Sequence, residues 1–170
     1  MGLTIPRNIN ASQITTGSIG SDYLPDGLNI DVSGRMTTPN QPSFLTYGMS
    51  PDIFNSTTGS SSYLYGGSIR HNIGSCYNSS NGRFTAPISG RYLLFAAVLV
   101  NTGTGRLEGS ILVNGSSVMN FNGTGSTYDG PTIICILNLN AGDYITIGRV
   151  SGTAYGTGHG NHYFGGSLIS

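Results

Sequence analysis

Nine apolar residues in a row, Tyr92 to Val100 (YLLFAAVLV), constrain this chain more than any other stretch. An extended strand sends successive side chains to opposite faces, so a strand with one wet face alternates apolar and polar. This run does not alternate, and neither does TIICIL at residues 132–137. Both faces of such strands need cover. By contrast, YITIGRV places Ile145 and Ile147 on one face and Thr146 on the other, the pattern of a half-exposed strand. A sandwich core covers one face of each sheet. With charged residues at only 8% of the chain, the favoured cover for the second face is another copy of the same chain.

From Pro42 onward the reading is all strand and turn. Ser43–Met49 is a first strand, and SSYLYGGSIRHNIG is broken by glycines into irregular strands. Asn81–Gly82 marks a turn, and Asn114–Gly115 joins alternating runs as a hairpin. Asn140 to Asp143 connects two further strands, and HYFGGSLIS ends the chain as another. Nowhere do apolar residues recur at helical spacing behind a capping signal. Several short strands with regular turns predict an all-β sandwich or barrel.

Residues 1–41 have a different character. Ile5, Ile9, Ile14, Ile19 and Leu24 recur about every fifth residue, a period of neither helix nor strand. So polar a segment cannot bury enough surface alone to offset its ordering entropy. It reads as a flexible tail or as an extended arm that orders against a partner. Gly34, Pro39 and Pro42 close it, giving an arm over 1–41 and a knob over 42–170.

Formal net charge is zero, and all seven basic residues are arginine, without a cluster. That removes the electrostatic basis for binding nucleic acid or an anionic membrane. No apolar stretch reaches membrane-spanning length, and no basic start precedes an apolar run as in a signal peptide. The expectation is a soluble product of cytoplasmic synthesis, which leaves open a later place on the outside of a particle. Cys135 lies within an apolar run and reads as a small buried hydrophobe, while its pairing with Cys76 stays open.

Phe84, Ala86, Pro87, Gly90 and Tyr92 in NGRFTAPISGRYLL resemble the Phe-x-Ala-Pro-x-x-Gly-x-Tyr-x-Phe signature of the complement globular-head and tumour-necrosis-factor jelly rolls. Leu94 stands where the final aromatic usually does. ILNLNAGDYITI, with Leu139, Gly142 and Asp143, is similar to the family's Leu-x-x-Gly-Asp turn. Phe164, Gly165, Gly166 and Leu168 resemble its closing strand. The resemblance implies a ten-strand jelly-roll β-sandwich that forms a homotrimer around an inner sheet. The runs placed there are YLLFAAVLV, TIICIL and YFGGSLI, with Tyr92, Leu94, Ala96, Val98, Ile134, Ile136 and Phe164 as the core-strand and trimer residues.

INASQITTGSIGSDYLPDG followed by DVSGRMTTPNQPSF resembles the junction before such knobs in tailed-bacteriophage virion proteins, fibres especially. This implies that Ile5, Ile9, Ile14, Ile19 and Leu24 anchor the arm to other virion proteins of tail or capsid. The implied function is a structural virion-surface protein whose knob presents loops to a host-surface glycan. A tail-fibre tip and a capsid decoration or head fibre are both open. The alternative is a non-viral, secreted complement-head-like binding module or lectin.

The residues offer little for catalysis. Seven acidic residues are present, and Asp26 and Asp129 sit in turns where a backbone-bonding side chain is the ordinary role. No nucleophile elbow, phosphate-cradling loop or paired-carboxylate pattern occurs, so no enzyme activity and no cofactor are expected. His159 and His162 have a spacing that can share a metal ion, but no third ligand type is near, and a solvated loop tip is favoured. The Asn-x-Ser/Thr sequons at Asn10, Asn55, Asn78, Asn114 and Asn122 are those expected in so Asn-rich a chain, with Asn114 and Asn122 assigned to turns. Ten tyrosines among Ser, Gly and Asn resemble the chemistry of antibody paratopes, flat rings beside adaptable hydrogen bonders. The candidate loops are 120–130 and 151–163, with Tyr128, Asp129, Tyr155, His159, Asn161 and His162 as the ligand-binding candidates.

Overall fold

The computed structural model of the chain describes residues 29–30, 36–37, 40–57, 59–101, 105–125, 129–156 and 158–170. The chain divides into two units, Met1–Gln41 and Pro42–Ser170. In the first, β1 (Asn29–Ile30) pairs antiparallel with β2 (Met36–Thr37). The arm residues Ile5, Ile9, Ile14, Ile19 and Leu24 lie outside the described residues.

The second unit carries ten strands among the described residues: β3 (Ser43–Tyr47), β4 (Ser68–Ile73), β5 (Tyr77–Asn78), β6 (Arg83–Thr85), β7 (Gly90–Ala97), β8 (Leu107–Val113), β9 (Ser116–Gly123), β10 (Thr132–Leu139), β11 (Tyr144–Ser151) and β12 (Tyr163–Leu168). They form two five-stranded antiparallel sheets, in the orders β10-β7-β12-β3-β4 and β5-β6-β11-β8-β9. From β6 onward only β8 and β9 are consecutive strands of one sheet. This repeated crossing makes the sandwich a jelly roll. The three runs expected together, β7, β10 and β12, are adjacent in the first sheet.

Turn chemistry fixes the hairpin and the crossing. Asn114 and Gly115 both have positive φ, 51° and 81°, the type I′ geometry that joins β8 to β9 with two residues. The Asn114 side chain then works as a piece of backbone. Its Oδ1 accepts from Tyr144 N at 2.9 Å, and its Nδ2 donates to Asp143 Oδ1 at 2.8 Å. Asp143 Oδ2 accepts from Asn140 N, closing the 140–143 turn that carries the chain from β10 in one sheet to β11 in the other. The hydrogen bonds from Asn114 and from the Asn140 amide hold the Asp143 carboxyl below its usual range. Asn72 and Asn55 are used alike: each gives and takes one backbone hydrogen bond, with Tyr77 and with Ala154 respectively. Asn122 departs from the turn expected of it and lies within β9, opposite Glu108.

The core lies between the sheets. The Phe44 ring stacks on Tyr77 and Phe84 at 5.0 and 4.9 Å between centroids and meets Phe164 edge-on at 4.8 Å. From β7 and the residues after it, Tyr92, Leu94, Ala96 and Val98 point into this core and are fully buried. The Tyr92 hydroxyl donates to the Ile88 carbonyl at 2.8 Å, so its polar end is satisfied.

Two readings of the sequence need correction. Thr146 does not face water: it is buried, because Ser62–Leu64 pairs alongside Ile147–Arg149 and the 3-10 turn Gly59–Ser61 lies against β11. That connecting segment also includes a one-turn helix, α1 (Asp52–Ser56), anchored by buried Phe54 and by Ser62 Oγ donating to the Phe54 carbonyl. Cys76 and Cys135, whose pairing the sequence leaves open, are both buried free thiols, and burial pushes the Cys76 thiol up to about 11.

Candidate functional site

Pairing register decides what the first sheet shows on its far side. Opposite the inward row, Leu93 of β7 stands across from Ile136 of β10, and Phe95 from Ile134. The row continues through β12 and β3: Phe95 neighbours Gly165, which neighbours Leu45, and Ala97 neighbours Tyr163, which neighbours Tyr47. Ile134 is 71% exposed and Ile136 56%, with Ile73 on β4 also open. Gly165 is what lets this surface lie flat. A Cβ there would fall 2.4 Å from Phe95 Cζ, so the ring covers the place where a side chain would stand. The result is an apolar patch across β10, β7, β12 and β3, bordered on β4 by Arg70, stacked 4.3 Å over the Tyr47 ring, and by exposed His71, paired opposite Leu45.

The seven residues singled out for the core strand and the trimer thus divide between two faces. Tyr92, Leu94, Ala96, Val98 and Phe164 belong to the chain's own core, and Ile134 and Ile136 stand on the outward patch. Leu93, Phe95, Leu45, Tyr47 and Tyr163 complete the patch. Strict alternation along β7 from a buried Tyr92 would have assigned Leu93 and Phe95; the cross-strand members follow only from register.

The two candidate loops meet at one end of the sandwich. Val98–Asn101 runs on from β7 between them: Val98 N and Val100 N donate to Pro131 O and Asp129 O on one side. On the other side, Tyr155 N donates to Leu99 O and Asn101 N to Thr153 O. Asp129 Oδ2 accepts from both the amide and the hydroxyl of Thr124, fastening the loop between β9 and β10. Tyr128 lies outside the described residues. Tyr155 and His159 are half-buried with rings edge-on at 5.4 Å, and Asn161 is exposed beside them.

His162 is placed differently from its sequence reading. It is fully buried, its Nδ1 accepts from Leu99 N at 3.2 Å, and its Nε2 faces Tyr155 O at 2.9 Å. Burial pushes its pKa below the usual value, with the His159 charge acting the same way and the Tyr155 carbonyl opposing. Both ring nitrogens hold backbone, so this histidine braces the loop and is closed to ligand or metal. Among the described residues, no group of three or more His, Cys, Asp or Glu is placed to hold a metal ion.

The opposite end of the sandwich holds Pro42, the 140–143 turn and Ser170. Pro42 O accepts from Leu168 N, and Ser170 O accepts from Arg91 N. The arginines of the knob are fasteners. Arg149 donates to Thr57 O and Gly152 O, tying α1's exit to β11. Arg83 lies 4.1 Å over the Tyr144 ring, Arg91 donates to Ser170 Oγ, and Arg106 reaches Glu108 at 3.8 Å.

Residues 55–169 match the C1q domain family. Among solved structures, the globular domain of zebrafish complement 1qA protein is similar at 18% identity, covering 76% of this chain and 98% of that one, with a TM-score of 0.57. Murine APRIL at pH 5.0 is similar at 14% identity over 76% of this chain and 99% of that one, also with a TM-score of 0.57. These likenesses show the fold. The chain matches no curated protein.

Proposed function

The chain belongs to the C1q-domain family, and on that premise we propose that it is a homotrimeric, non-enzymatic binding and assembly protein of a tailed-phage virion surface. Domains of this kind are binding modules that form homotrimers. The observation that carries the reading is the outward face of the β10-β7-β12-β3-β4 sheet. Its Ile134, Ile136, Leu93, Phe95 and Leu45 form a patch that the chain's own core does not cover. Three copies closing around that patch would withdraw it from water, at about 25 cal/mol per Å² of apolar surface.

Attachment falls to residues 1–41, through Ile5, Ile9, Ile14, Ile19 and Leu24, on a tail or capsid protein. The likeness of this stretch to phage junctions supports that assignment. Within the knob, Pro42 lies at the end of the sandwich opposite the Asp129 and Tyr155–His162 loops. In those loops, Tyr155, His159 and Asn161 would meet a host-surface glycan, with ring faces stacking on sugar and amides bonding hydroxyls. Three weak sites acting together would raise avidity.

Tail-fibre tip and capsid decoration are two placements of this one reading. A secreted, non-viral binding module or lectin rests on the same family match and needs no virion. Deleting residues 1–41 separates them. The virion reading expects a truncated chain that keeps the mass of three copies and no longer enters particles; unchanged incorporation refutes it.

A further inference from the structure

His162 sits where two apical segments are joined by one side chain. Its Nδ1 takes the Leu99 amide proton, its Nε2 faces the Tyr155 carbonyl, and Tyr155 N returns a hydrogen bond to Leu99 O at 2.8 Å. That arrangement requires the neutral ring with its proton on Nε2. The neighbouring His159 repeats the device, its Nδ1 accepting from Asn161 N at 3.3 Å, and the two imidazole centroids are 6.2 Å apart. The titratable groups facing His162 are His159 and Tyr155 from its own loop. Val98–Asn101 and Met49 meet it through backbone, Met49 N donating to His162 O.

We propose that His162 is an acid-sensitive pin: protonating its imidazole detaches Tyr155 and residues 158–162 from Val98–Asn101 and remakes the surface at that end of the knob. A proton on Nδ1 turns the acceptor into a donor aimed at the Leu99 N–H and leaves a fully buried cation beside a second histidine. The sign follows from burial. The folded value lies below the ordinary 6.5, so the pinned arrangement is at full strength above that pH and weakens as pH falls through and below it.

Amide hydrogen exchange on the full chain tests this, expressed as protection factors at pH 7.5 and 5.0 with Ile147 of β11 as an internal reference. Protection at Leu99 and Tyr155 should drop by about 10- to 30-fold relative to Ile147, from the pH units crossed below the ordinary value. His162→Gln, whose amide can both accept and donate, should remove the drop, and His159→Gln should keep most of it. Unchanged protection in the wild type, or a full drop in His162→Gln, overturns the proposal. Should His162→Gln not fold, imidazole NMR of the wild type decides. A ring that stays neutral with Nε2 protonated until the loop amides open supports the pin, and free titration near 6.5 with those amides undisturbed overturns it.

Discussion

Ile134→Asp separates the two faces of the sandwich. Ile134 is 71% exposed on a single chain, whereas Leu94, beside it on β7, is fully buried. Within one knob, losing an exposed strand side chain should cost at most about 1 kcal/mol, the span of strand preferences. Assembly is another matter. Covering the exposed 71% of an Ile side chain is worth about 1–2 kcal/mol per copy. A closed ring of three therefore loses about 3–6 kcal/mol, before the added cost of drying a carboxylate. That is a fall of about 100-fold or more in the assembly constant. Leu94→Ala reverses the pattern, taking about 2–5 kcal/mol from folding itself. Sedimentation velocity over a concentration series reads assembly, and urea unfolding reads the fold. Ile134→Asp should sediment as a folded single chain at concentrations where the wild type is three. A wild type that sediments as a monomer, or an Ile134→Asp that keeps the mass of three chains, refutes the argument.

Gly165→Ala should displace the Phe95 ring, because the new Cβ would lie 2.4 Å from Cζ. A loss of about 1–3 kcal/mol in unfolding free energy is expected, together with weaker assembly; an unchanged urea midpoint and mass would contradict it. Asp143 carries a pH signature. Its folded value is depressed by Asn114 and the Asn140 amide, so its contribution is complete above the ordinary 3.8 and disappears as pH falls below it. Unfolding midpoints between pH 5 and about 2.5 should therefore fall more steeply in the wild type than in Asp143→Asn, and parallel curves would remove the assigned role.

What the sequence made legible was local. Asn114–Gly115 specifies its own turn, since both residues accept positive φ, and non-alternating runs reveal strands with two apolar faces wherever they pair. Less legible was anything set by long-range pairing. Thr146 alternates like a solvated residue, yet a segment more than eighty residues earlier pairs beside its strand. Tyr47 and Tyr163 join the outward patch only through the β3–β12 register, and Leu45 reaches Phe95 only across Gly165. His162 looked like a loop-tip ligand because its neighbours are Gly, Asn and Tyr. Nothing local says that its ring reaches the Leu99 amide.

The sparse and balanced charge has a kinetic consequence. Arg70, Arg83, Arg91, Arg106 and Arg149 each have a partner within the knob, and formal net charge is zero. Fastening leaves each guanidinium charged, but with charged residues at only 8% of the chain and a formal net charge of zero the surface projects little field beyond contact distance, and it neither draws a distant partner nor repels one. Encounters with a target then proceed at the unsteered pace of about 10⁵–10⁶ M⁻¹s⁻¹ and change little with added salt. On the proposed reading, capture would rest on how many copies arrive together and how slowly they leave.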